Sequence, residues 1–151
     1  MNNYKIPFRE TENEVITAII QWFKFESNDL FVDVGCGNGI VLEQIAKQTK
    51  IDCLGIEIDP VYYNEALQRL KSFESVKLIR DDLRTCNMLV RDQRCIYYLA
   101  WTKQYIDEFD FASMVKPGDY IFVFKQQIPN MNSFDVLITS PYNNVYVYKI
   151  E

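Results

Sequence analysis

The chain has 151 residues, 48% hydrophobic and 25% charged, values of one ordinary globular domain and not of a disordered or fibrous chain. Sixteen Lys and Arg stand against 21 Asp and Glu, a net charge of −5, which disfavours a protein whose main task is gripping phosphate backbones. There is no histidine, so no Ser–His–Asp triad or His-ligated metal site can be built, and proton chemistry falls to carboxylates, Tyr, Lys or Cys. Residues 1–10 read as irregular, with Pro7 breaking early structure. Thr11 to Glu14 has the form of a capping box, and Val15, Ile16, Ile19, Ile20 and Phe23 follow at helical spacing, predicting a helix over about 12–25. Leu30 to Val34 is a short apolar run between turn residues, a buried strand. Ile40 to Gln48 is helical, and Cys53 to Glu57 a second strand. Asp59-Pro60 reads as an N-cap with Pro at the first helical position. The helix it opens carries Tyr63, Ala66, Leu67 and Leu70 on one face.

Val76 to Ile79 and Arg94 to Leu99 are the third and fourth predicted strands, Ile106 to Val115 a helix, and Tyr120 to Phe124 a fifth strand. Phe134 to Thr139 and Val145 to Ile150 are two more, joined around Pro141-Tyr142-Asn143-Asn144. Alternation of strands and helices predicts an α/β fold with a mainly parallel sheet of about seven strands, closed by an antiparallel hairpin at one edge. The four cysteines, Cys36, Cys53, Cys86 and Cys95, contain no C-x-x-C pair; they are read as reduced thiols of a cytoplasmic protein. The opening residues have no apolar run of a signal peptide, and no apolar stretch is long enough to span a membrane.

The chemistry concentrates at Asp33-Val34-Gly35-Cys36-Gly37-Asn38-Gly39, between the first strand and its helix. Three glycines at alternating positions let a ligand approach the backbone, and the helix N-terminus beyond offers free N–H groups. The plainer reading is a tight strand–helix connection. Asp33 precedes the glycines near the strand's C-terminal end, where ligands bind in open α/β sheets. Glu57 ends the second strand, where an acidic residue is placed to bind a ribose diol. The pattern G-x-G-x-G puts Ile40 where a dinucleotide fingerprint has its third glycine, and no G-x-x-x-x-G-K sequence occurs. A ligand with a ribose and no phosphate fits best, and a carboxylate at Asp33 suits an ammonium group.

These residues resemble those of class I S-adenosylmethionine-dependent methyltransferases. Asp33 to Gly39 is similar to their glycine-rich first motif and Gly55-Ile56-Glu57 to their ribose-binding strand end. Arg80-Asp81-Asp82-Leu83 is similar to the third-strand motif, with Asp82 on the adenine amino group, and Lys116-Pro117-Gly118-Asp119 to the turn before the fifth strand. The resemblance implies a Rossmann-like, seven-stranded, mostly parallel sheet with helices on both faces. It makes residues 1–151 one domain, with 1–28 an N-terminal segment and helix and 29–151 the cofactor-binding core. It assigns S-adenosyl-L-methionine to Asp33, Gly35, Cys36, Gly37, Asn38, Gly39, Glu57, Ile58, Asp82 and Leu83. The compact layout and the closing Val145-Tyr146-Val147-Tyr148 strand further resemble small archaeal and mitochondrial protein-lysine methyltransferases.

That narrower resemblance implies a protein partner with an accessible lysine. The fourth-strand end, Tyr97 to Thr102, lacks the Asn/Asp-Pro-Pro-aromatic motif that engages a flipped base, and Ser140-Pro141-Tyr142 is read as a turn. An apolar aromatic channel favours the neutral amine nucleophile and tolerates its cationic methylated product. Trp101 and Tyr98 are the candidate positioning residues, with Leu99 beside them and Tyr4 or Phe8 closing over the cofactor. By strand alternation, one of Tyr97 and Tyr98 is expected in the core. Trp101→Ala is expected to weaken turnover more than cofactor affinity. No metal is expected, and oligomeric state is left open. The alternatives are a small-molecule methyltransferase and a cofactor-binding subunit without turnover.

Overall fold

The computed structural model describes residues 10–82, 92–138 and 143–151. Helix α1 spans Glu10–Trp22, followed by β1 (Leu30–Val34), α2 (Ile40–Gln48), β2 (Asp52–Ile56), α3 (Pro60–Leu70) and β3 (Val76–Ile79). Then come β4 (Cys95–Leu99), α4 (Lys103–Glu108), a 3-10 turn (Phe111–Ser113), β5 (Tyr120–Phe124), β6 (Asp135–Ile138) and β7 (Asn144–Lys149). The strands form one sheet in the order β3-β2-β1-β4-β5-β7-β6. The first five are parallel; β7 is antiparallel to both β5 and β6. The expected mostly parallel sheet with its closing antiparallel pair is therefore observed, with β7 lying between β5 and the edge strand β6.

Both sheet faces are covered, which is why the central strands are almost wholly apolar. On one face Val15, Ile16 and Ile19 of α1, Val41, Leu42 and Ile45 of α2, and Ala66 and Leu70 of α3 pack on Phe31, Ile96, Tyr98 and Phe122. On the other, Ile106 of α4, Phe111 and Met114 pack on Val32, Leu54, Tyr97, Leu99 and Ile121. Tyr97 and Tyr98 are both core, at 0% and 1% exposure. Alternation sends one to each face, and both faces are buried, so the second tyrosine is core as well as the one expected there.

Two helices differ from expectation. The helix of α1 already includes Thr11 and ends at Trp22, so Thr11 lies inside it and is not its cap. The predicted helix over Ile106–Val115 is broken: α4 ends at Glu108, Phe109 is extended (φ −82, ψ 139), and a separate 3-10 turn follows. The break lets Phe109 and Phe111 both pack on Trp101, with ring centroids 5.1 and 6.1 Å away. Residues two apart on a continuous helix do not share a face.

The N-terminal end of the sheet is tied by charge. Asp29, 1% exposed, receives Arg94 Nε at 2.8 Å and Nη2 at 2.7 Å, a two-pronged pair of the strong charge-assisted kind. It also accepts the Glu26 amide at 2.7 Å. The side-chain hydrogen bond to Asp29 pushes the Arg94 pKa up. Asp119, in the turn before β5, accepts the Cys95 amide at 2.8 Å, the Lys116 amide at 3.0 Å and Lys116 Nζ at 2.8 Å.

Candidate functional site

Strand order places Asp82, Glu57, Asp33 and Trp101 along the C-terminal ends of β3, β2, β1 and β4, successive neighbours in the sheet. Order reverses between β1 and β4, the place where open α/β sheets receive ligands. The turn after β1 is held by two amides, Gly35 and Cys36, donating to the Ile56 carbonyl at 2.9 Å each. Gly35, Gly37 and Gly39 all have positive φ, at 85°, 55° and 86°. This is the left-handed region that costs an L-residue about 1–2 kcal/mol.

The glycines do different jobs. A Cβ on Gly39 would come within 2.8 Å of Leu70 Cδ1 and 3.2 Å of Ala66 Cβ, so the start of α2 packs directly on α3. A Cβ on Gly37 would meet nothing within 4 Å, so above this residue there is open space over bare backbone. Gly55, which in the sequence belongs to the Gly55-Ile56-Glu57 strand end, is in the structure a packing glycine inside β2. Its Cβ would lie 2.5 Å from Leu42 Cδ1, 2.7 Å from Leu78 Cδ2 and 2.9 Å from Cys36 Sγ. A glycine within an apolar strand was the available signal.

Glu57, 9% exposed, accepts the Gly37 amide on Oε1 at 2.7 Å and the Asp59 amide on Oε2 at 2.9 Å. It thus braces the glycine turn while standing at the end of β2. Asp59 caps α3 as expected, accepting the Val61 amide at 2.8 Å ahead of Pro60 at the first position. Asn38 Oδ1 accepts the Ile40 amide at 3.4 Å. Ile58 is 56% exposed beside Glu57, an apolar surface next to the open space. Asp82 is half-buried, its amide donating to Asp81 Oδ1 at 2.7 Å. Leu83, Tyr4 and Phe8 lie outside the described residues, as does the Ser140-Pro141-Tyr142 turn.

The electrostatics favour a cation. Asp33 is 4% exposed, and with Glu57 it makes two carboxylates set into the corner behind the glycines. Their field registers on Cys36, whose thiol is pushed up by burial first and then by the charges of Asp33 and Glu57. An anionic diphosphate would be repelled from such a corner; an ammonium or sulfonium would be attracted.

The fourth strand is arranged differently from expectation. Tyr98 and Leu99, expected at the acceptor mouth, are 1% and 0% exposed and belong to the two core layers. Tyr98 stacks on Phe31 at 6.4 Å. Trp101 remains half-buried at the strand end and donates its indole N–H to the Val34 carbonyl at 2.7 Å. Among the described residues, no group of three or more Cys, Asp or Glu is placed to hold a metal ion.

The chain is similar to several known proteins. It is 38% identical over 73 residues to a protein of Archaeoglobus fulgidus named for cobalt-precorrin-6B C(15)-methyltransferase (decarboxylating) activity, covering 48% of this chain and 42% of that protein. It is 32% identical over 68 residues to ribosomal RNA small subunit methyltransferase A of Persephonella marina, covering 45% of this chain and 26% of that one. The chain thus spans less than half the length of these curated relatives.

In fold it is similar to an RNA methyltransferase from Salinibacter ruber solved with S-adenosyl-L-homocysteine (TM-score 0.80, 17% identity, covering 96% of this chain and 94% of that chain). It is also similar to a SAM-dependent methyltransferase from Aquifex aeolicus (TM-score 0.68, 12% identity, covering 92% of each). A family model described as a methyltransferase domain matches residues 31–117, from β1 through the glycine turn and Glu57 to the turn before β5. With more than half of its length matched, including every strand end that frames the open space over Gly37, the chain belongs to the methyltransferase domain family.

Proposed function

We propose that the protein is an S-adenosylmethionine-dependent methyltransferase. The observation that carries this reading is the open space over Gly37, bounded by Glu57 and backed by the buried carboxylate of Asp33. It suits a ligand carrying a ribose diol and positive charge but no phosphate. When bound, the cofactor supplies a methyl group on a cationic sulfur, an electrophile strong enough that the protein's task is mostly placement and exclusion of water. Glu57 keeps lone pairs on both carboxylate oxygens after accepting the Gly37 and Asp59 amides, so it can receive both ribose hydroxyls. Asp33 offers its charge to the ammonium end, Ile58 an apolar face to the adenine ring, and Asp82 an acceptor for its amino group. The structural neighbour from Salinibacter ruber, solved with S-adenosyl-L-homocysteine, supports the same ligand class here. Calorimetry with S-adenosyl-L-homocysteine tests the reading directly: micromolar or tighter binding is expected, and absence of binding overturns it.

For the acceptor we propose a lysine amino group on another protein. The net charge of −5 supports encounter with basic segments, and a lysine amine needs only desolvation to become the nucleophile. The absence of a histidine is no obstacle to that chemistry. A second reading, a small-molecule acceptor, is favoured by the similarity to the Archaeoglobus fulgidus protein, whose name describes methylation of cobalt-precorrin-6B. Labelled cofactor, offered separately to protein, RNA and metabolite pools, separates the two. Label recovered as methyl-lysine after acid hydrolysis is expected. Label only in small molecules supports the second reading, and label only in RNA overturns both. We place the protein in the cytoplasm. The buried Cys36 and Cys53, outside any disulfide, support that. Among the described residues no helix is long and apolar enough to cross a membrane.

A further inference from the structure

The seam between β1 and β4 opens at the site. The two strands pair as far as Asp33 opposite Tyr98, whereas β1 and β2 stay paired one residue further, to Val34 opposite Ile56. Where the seam opens, the Val34 carbonyl receives the indole N–H of Trp101 at 2.7 Å. The ring does not swing freely. Phe109 meets it edge-on at 5.1 Å, Phe111 lies 6.1 Å away, and those two rings brace each other at 4.9 Å. Gly35, the next residue along from Val34, passes so close that a Cβ there would stand 3.4 Å from the indole nitrogen. Trp101 therefore touches the turn from the β4 side as Glu57 touches it from the β2 side.

We infer that Trp101 is a positioning residue for the glycine turn, fixing through its N–H on the Val34 carbonyl the path of Asp33 to Gly37 that the cofactor meets. The inference rests on the reading of this turn as the S-adenosylmethionine site. It reverses the expectation from sequence: loss of the indole N–H weakens cofactor affinity first, rather than turnover at saturating cofactor. The break between α4 and the 3-10 turn gains a function in this account, because only a broken helix brings both Phe109 and Phe111 against one indole.

The test uses the full chain. Trp101→Phe keeps an aromatic ring and removes the donor. S-adenosyl-L-homocysteine binding is measured by calorimetry, beside thermal unfolding of the same samples. The expected result is wild-type binding and roughly tenfold weaker binding in Trp101→Phe, the loss of one modest hydrogen bond, with a cooperative unfolding transition retained. The chain has two tryptophans, Trp22 and Trp101, so Trp22→Phe leaves Trp101 as the sole indole emitter. Its emission is expected to shift on adding S-adenosyl-L-homocysteine, a signature that holds even if Trp101→Phe folds poorly. Wild-type affinity in Trp101→Phe, or an emission unmoved by saturating ligand in Trp22→Phe, overturns the inference while leaving the function reading intact. Failure of the wild-type chain to bind overturns the function reading, and the inference with it.

Discussion

The amide of Gly37 donates to Glu57 Oε1 at 2.7 Å across 20 residues of chain. That single contact joins the turn after β1 to the end of β2, and it gives Glu57 a structural duty besides any ligand it holds. Its second oxygen accepts the Asp59 amide, so the start of α3 hangs from the same carboxylate.

Glu57→Ala is therefore expected to act twice. Hydrogen bonds to a charged group are worth about 1.5–3 kcal/mol each, and the variant loses those to the two amides as well as those proposed to the ribose. S-adenosyl-L-homocysteine affinity should fall at least tenfold, a loss of about 1.4 kcal/mol or more, and the thermal midpoint should fall too. Calorimetry and a melting curve on one preparation check both; unchanged affinity would remove Glu57 from the site.

The glycines should separate by role. Gly37→Val introduces a side chain into open space at φ 55°, so it costs backbone strain of about 1–2 kcal/mol and abolishes ligand binding. Gly55→Ala instead forces a Cβ to within 2.5 Å of Leu42 and 2.7 Å of Leu78. Its larger loss should be in stability, since overpacking costs about 1–3 kcal/mol in a close-packed core. Denaturant curves beside binding isotherms show whether the two variants separate in this way.

Asp119→Ala is expected to destabilise without touching affinity. Asp119 is 1% exposed and accepts the buried Cys95 amide that starts β4. Leaving that amide unsatisfied costs about 1–3 kcal/mol. Its ion pair with the partly exposed Lys116 adds less, through solvent screening. The measurement is urea unfolding with and without S-adenosyl-L-homocysteine; the ligand-induced stabilisation should match that of the wild type.

Alkaline pH should unfold the protein sooner than its surface charges require. Burial, and then the charges of Asp52 and Asp33, push the Cys53 thiol from 9.0 up to about 12. In that window the unfolded chain loses the proton and the folded chain keeps it, so the folded state binds more protons and stability falls as pH rises. The contribution is intact below pH 9 and is lost progressively toward 12. Cys36 is shifted the same way. Urea unfolding between pH 8 and 10.5 should show a shallower decline for Cys53→Ala than for the wild type, by up to about 1.4 kcal/mol per pH unit.

Chelation should leave methyl transfer intact. The chain has no histidine, and its described carboxylates and thiols form no cluster of ligand size. Assays after exhaustive treatment with a chelator, with and without added magnesium, should give equal rates; a rate that returns only with magnesium counts against the proposed amine chemistry.

The sheet and the glycine turn with its carboxylates were legible because each rests on local signals. Alternating strands and helices, Pro60 after Asp59, and glycines flanked by Asp33 and Glu57 all announce themselves within a few residues. The β4 side was not legible in the same way. Tyr98 and Leu99 read as wall residues on an aromatic strand end, yet burial on both faces of the sheet takes them into the core. The partner of Trp101 is Val34, 67 residues away, and no local pattern reports such a contact. The break after α4 was equally hidden, because it is set by a tertiary demand, two phenylalanines on one indole, that overrides helical spacing.

The open seam between β1 and β4 also has a consequence for the order of assembly. Its two tethers, Arg94 to Asp29 at one end and Trp101 to Val34 at the other, close loops of 65 and 67 residues, and contacts so distant in sequence form late because the chain must first give up the entropy of closing them. The half that contains β1, α2, β2 and α3 pairs through nearer neighbours. During synthesis the glycine turn can meet β2 and Glu57 while β4 is still to be made, but the crevice has only one bank until Trp101 arrives. A ligand that bridges both banks would then bind only once Trp101 is in place, and would hold that seam together.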